Sequence, residues 1–129
     1  MKMARERYLH LPPLIFLVLL SAASGCSESS TGGILVVNKS SSTIVRAEVK
    51  VCDHTLLFEG LQPRKSQHSF FSVEGECQYT IKATFSDQPP LLAELGYLRA
   101  GFDWLDYLVI TDDEILLNPK GYKGEILPH

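Results

Sequence analysis

The sequence predicts an all-β fold: a small antiparallel β-sandwich, or a small barrel, with one disulfide. Three observations carry that expectation. Residues 43–51 and 77–85 alternate apolar with polar side chains, the period of a strand that is wet on one face only. Seven or eight short apolar runs follow one another within about 90 residues, bounded by turn-forming residues, and no long stretch has helical period. Cys52 and Cys77 fall at the end of the first alternating stretch and the start of the second.

Each element follows from local chemistry. Ile34-Leu35-Val36-Val37 is a short apolar run suited to a strand buried on both faces. Asn38 to Ser42 is a turn, because Asn and Ser side chains bond their own backbone. Within 43–51, Val45, Ala47, Val49 and Val51 point one way, and Arg46, Glu48 and Lys50 the other. Residues 55–59 make a weaker strand ended by Gly60, and Pro63 suits the loop at 61–65. A fourth strand covers 66–73, and Glu74-Gly75-Glu76 turns the chain. In 77–85, Tyr79, Ile81, Ala83 and Phe85 face inward. Pro89 and Pro90 follow, and proline cannot donate to a ladder. Strands at 91–98, 107–111 and 115–117 complete the set, although the Leu, Ala and Glu of 91–95 also suit a helix. Sandwich and barrel both need a one-sided buried face, so periodicity leaves the two open.

The first 25 residues have the three parts of a signal peptide. Lys2, Arg5 and Arg7 make a basic start, residues 14–20 are unbroken apolar, and 21–25 are small. A membrane-crossing helix needs about 20 apolar residues, and this run is much shorter. Removing residues 1–25 leaves 104, one domain with a modest core that gains from a covalent staple. The full chain has 12 basic and 15 acidic side chains. Three basic residues and Glu6 lie in the leader, so 9 basic and 14 acidic remain, a net charge of −5. That balance argues against nucleic acid as a partner, since phosphate binding rests on clustered Lys and Arg, and against charge-driven attachment to anionic lipid.

Ala23-Ser24-Gly25-Cys26 resembles the lipobox of bacterial lipoproteins, matching its last three positions and carrying Ala where Leu is usual. The resemblance implies that the Cys26 thiol takes a diacylglycerol and the leader is cleaved before it. The new amino terminus then receives a fatty acyl group such as palmitate. Cys26 would be the first mature residue, with three acyl chains, and several chains anchor stably where one binds marginally. Ser27 in the next position implies the outer membrane, with the domain facing the periplasm. The alternative is an ordinary secretory leader, a secreted product and a free Cys26. Three cysteines in an oxidising compartment leave one over, and lipidation of Cys26 removes it, so Cys52 and Cys77 pair. Residues 26–33, polar and small after the cysteine, read as a lipidated flexible tether, and 34–129 as a single β domain.

No residue pattern makes a case for an enzyme, a metal or a cofactor. Cys52-Asp53-His54 with His68 lacks the paired spacing of a zinc site, and Asp112-Asp113-Glu114 lacks the glycine and spacing of a calcium loop. His68-Ser69 are strand neighbours on opposite faces, and no G-x-S-x-G elbow exists. The segment 96–107 is the candidate interaction surface: Arg99, Phe102, Asp103, Trp104 and Tyr107 set aromatics among charges beside glycines. The competing expectation is that its rings plug the end of the domain as core. The sequence therefore reads as a lipid-anchored envelope protein, a non-enzymatic binding or structural module with a protein partner in the envelope. An alternative is a periplasmic inhibitor of a lysozyme-like hydrolase, which an acidic surface suits.

Overall fold

In the computed structural model, which describes residues 29–101, 103–123 and 125–126, nine strands build a two-sheet sandwich without a helix among the described residues. Residues 1–25, expected to be a signal peptide, and Cys26 lie outside the described residues. The strands are β1 (Ser29–Asn38), β2 (Ile44–Val51), β3 (His54–Leu61), β4 (Ser66–Glu74), β5 (Glu76–Phe85), β6 (Leu91–Arg99), β7 (Trp104–Ile110), β8 (Ile115–Leu117) and β9 (Glu125–Ile126). One sheet has the order β4-β1-β7-β8, with β9 also on β7, and the other β3-β2-β5-β6. Pairing is antiparallel except for β1 beside β7, which runs parallel from Gly32↔Trp104 to Asn38↔Ile110. Parallel neighbours need a long crossover, and here the whole second sheet supplies it.

The core lies between the sheets. The inward residues of the β5 alternation, Tyr79, Ile81, Ala83 and Phe85, are all buried, against Ile34 and Val36 of β1 and Leu108 and Ile110 of β7. Each large apolar side chain fully buried in this way contributes about 1.5–3 kcal/mol. Leu35 and Val37 are only half-buried, so the 34–37 run is dry on one face rather than two.

Three expectations need correction. Residues 29–33, expected to be tether, belong instead to β1 and pair with β4 from Ser29↔Glu74 to Gly33↔Phe70. Packing explains it: a Cβ on Gly32 would lie 2.6 Å from the Phe71 ring, and one on Gly33 2.9 Å from Phe70. The two glycines are where aromatic rings close on the backbone. Val45 points outward, 49% exposed, and Ile44 takes the buried place. A register shift between Ile44 and Arg46 inserts one extra residue opposite β5, which flips the side chains before it. Finally, Gly60 does not end β3, which runs on to the buried Leu61.

Residues 91–99 are strand, not helix, and β6 carries its own bulge. Cys77 pairs with Leu98 and Tyr79 with Leu95, so Gly96 and Tyr97 together oppose Gln78. Gly96 has φ +76°, the left-handed region, as a bulge of this kind requires. The bulge turns Tyr97 out, 64% exposed, and Leu98 in.

The far end of the sandwich is closed by Asn38, which is fully buried. Its amide donates to the carbonyls of Ser42 and Leu61 at 2.9 and 2.8 Å. Its Oδ1 accepts from the Ser40 amide and hydroxyl. Four bonds satisfy the side chain and tie β1 to the end of β3 in the other sheet. The opposite end carries the staple: Cys52 and Cys77 are bonded, joining the β2–β3 turn to the start of β5 with a Cα–Cα distance of 5.0 Å. Cys52 sits at φ 54° in that turn. Replacing both cysteines with Ala should lower unfolding free energy by about 3 kcal/mol, the closure entropy of a 24-residue loop. Urea denaturation of the two proteins checks this, with the β-sheet circular dichroism unchanged before the transition.

Candidate functional site

The candidate site is built by the alternation of β7. Asp106, Leu108 and Ile110 turn into the sandwich with Trp104, and Leu105, Tyr107 and Val109 turn to the outer face of their sheet. The inward row therefore contains a carboxylate. Asp106 is 4% exposed. Its Oδ2 accepts from the Tyr79 hydroxyl at 2.8 Å, and its Oδ1 accepts from Trp104 Nε1 and, at 2.8 Å, from Asn118 Nδ2. All three donors are neutral. Hydrogen bonds to a charged group are worth about 1.5–3 kcal/mol each, and three of them compensate the loss of hydration. The pairing acts on its partner too: burial, then the neighbouring Asp106 charge and the bond to it, push the Tyr79 hydroxyl far above the ordinary phenol range.

Asn118 is placed by the end of β8. With φ 46° it turns the chain off the ladder, and its side chain takes over the pairing. Its backbone N–H donates to the Tyr107 carbonyl at 2.8 Å, and its Oδ1 accepts the Tyr107 N–H at 2.8 Å. The amide thus stands in for a strand residue between β8 and β9, while its Nδ2 reaches Asp106.

Above this network the sandwich opens. A cleft of about 750 Å³ lies between the β6 bulge and β7, with Val73, Leu98, Trp104, Asp106 and Leu117 among its walls and Thr31, Tyr97 and Arg99 around it. The volume suits a small ligand. Its deep polar atoms, on Asp106, Trp104 and Asn118, are already bonded to one another or to the backbone, so most of what faces an occupant is apolar.

The structure divides the residues of the predicted interaction surface. Arg99 and Trp104 line the cleft. Asp103 accepts the Thr31 N–H at 2.8 Å, fastening the end of the β6–β7 loop to β1. Tyr107 lies on the other side of its sheet, its ring 5.8 Å from that of Tyr122, over which Lys39 Nζ sits at 4.9 Å. Phe102 lies outside the described residues. Trp104 and Tyr107 are thus both packed, but in different places. Tyr79, Asn118 and the role of Asp106 were missed. The Asp106 signal was available, because an acid on the same parity as Leu108 and Ile110 must enter the core face. Nothing local marks Asn118 or couples Tyr79 to β7.

The two histidines among the described residues, His54 and His68, do not gather. His54 Nε2 is 3.2 Å from Ser72 Oγ, and His68 lies edge-on to Phe70. Among the described residues no group of three or more His, Cys, Asp or Glu is arranged to hold a metal.

The fold and this site define a disulfide-stapled β-sandwich with a buried carboxylate network beneath an open, largely apolar cleft. No protein-family model matches the chain, and no curated protein matches it in sequence.

Two outcomes test the network. Asp106→Ala should cost about 3 kcal/mol or more, since it leaves buried donors unsatisfied, and thermal denaturation measures it. Tyr79 stays neutral in the fold but ionises near pH 10 when unfolded, so its contribution is whole below about pH 10 and declines as pH rises above it. Stability measured from pH 8 to 11 should fall at the alkaline end, and Tyr79→Phe should flatten that fall.

Proposed function

We propose that this protein is a lipid-anchored, non-enzymatic module of the bacterial cell envelope, held against its membrane by Cys26. The observation that supports this best is the start of β1. With Ser29 already in a ladder, residues 27 and 28 alone separate the lipobox cysteine from the folded domain. The three Cα–Cα steps from residue 26 to residue 29 reach roughly 10 Å at full extension, so the domain works at the bilayer surface. The end of β1 nearest that cysteine is the end that carries the cleft, since Thr31 borders it. The net charge of −5 after the leader leaves the lipid as the attachment, and Ser27 favours the outer membrane and the periplasmic side. A protein partner in the envelope would then meet the faces of the sandwich turned away from the bilayer.

Cys26→Ser in the full precursor, followed by membrane fractionation, tests the anchor. The wild-type protein should sediment with the outer membrane and show acyl mass on its N-terminal peptide. The variant should appear in the soluble periplasmic fraction, and unchanged membrane association would reject the reading.

A further inference from the structure

We propose that the cleft between β6 and β7 holds one of the acyl chains carried by Cys26 of the same molecule. The inference rests on the reading of Cys26 as lipid-bearing and adds what the lipid does once attached.

The cleft calls for an apolar occupant. Val73, Leu98 and Leu117 line it, and Trp104 contributes a ring whose Nε1 is already given to Asp106. Both Asp106 oxygens accept, the Asn118 amide is used at both ends, and the Tyr79 hydroxyl is bound to Asp106. A sugar or a peptide would need free donors and acceptors in the depth of the cleft, and these are spent on one another. A hydrocarbon chain needs none.

The source is chosen by distance. Thr31, on the border of the cleft, is two residues beyond Ser29 in β1, and only residues 27 and 28 lie between Ser29 and the lipid-bearing Cys26. The link is shorter than an extended acyl chain, so the cleft is within reach of a chain attached at Cys26. Transfer from bilayer to cleft exchanges one apolar surrounding for another and carries no hydration cost. Of the three chains implied for Cys26, two remain in the membrane, and two suffice for stable anchoring.

The test uses the full protein in cells fed a fatty acid with a terminal diazirine. Isolated membranes are irradiated and the peptides mapped by mass spectrometry. The expected product is an intramolecular cross-link from the Cys26 lipopeptide to peptides holding residues 97–104 or 117–118. Leu117→Arg should lower its yield at least tenfold with the acyl mass on Cys26 retained. The wild-type map stands by itself if that variant does not fold. Acyl mass on Cys26 with cross-links confined to bilayer lipids overturns the inference and leaves the lipoprotein reading intact. Cleft peptides labelled by a free fatty acid or a phospholipid overturn it as well, because the occupant is then foreign. An N-terminus without acyl mass overturns both readings, and is told apart by that mass alone.

Discussion

The buried carboxylate of Asp106 is the constraint around which one end of this sandwich is arranged. It belongs to β7 in one sheet, and its Oδ2 is bound by Tyr79 of β5 in the other. A charge in that position is tolerable only with its donors in place, so the sheets are held in one relative placement where apolar packing would allow several. Trp104 and Asn118 are positioned by the same acid, and these two residues shape the floor and wall of the cleft. Stability and shape at this end thus share one source.

Two kinds of irregularity then decide which side chains surround the cleft. In β6 the bulge at Gly96 and Tyr97 reverses the alternation, sending Tyr97 outward and Leu98 inward. In β8 the left-handed Asn118 takes the chain off the ladder and substitutes its amide for the next residue. Regular strands in both places would bring the edges of the two sheets closer together. At the turn the cost is small, because the Asn118 backbone and side chain bond both the carbonyl and the N–H of Tyr107.

The fold was legible where one residue pattern maps to one geometry. The alternation of Tyr79, Ile81, Ala83 and Phe85 placed all four in the core, and the two cysteines at strand ends are bonded. Legibility failed where pairing, rather than local sequence, decides. Val45 continues a faultless alternation and still faces outward, because the extra residue in β2 is defined only against β5. Gly32 and Gly33 read as linker, since the rings of Phe71 and Phe70 that close on them are some 40 residues away in the chain. At the site, the aromatic segment was visible as a cluster, but strand parity sends Trp104 and Tyr107 to opposite faces of one sheet. The partners of Asp106 come from β5 and the end of β8, and no local spacing announces either.

The placement of β1 has a mechanical consequence. Under the anchoring proposed above, a load from the membrane would enter through the N-terminus of this strand, and β1 is flanked on both sides, antiparallel to β4 and parallel to β7. Tension along β1 therefore acts along two ladders at once and must shear their hydrogen bonds together, since neither edge can be opened one bond at a time. A strand at the margin of a sheet would unzip under the same pull. With β1 in the interior of the sheet, the domain resists a pull on this strand through the rate of a concerted rupture, the quantity that governs survival under force.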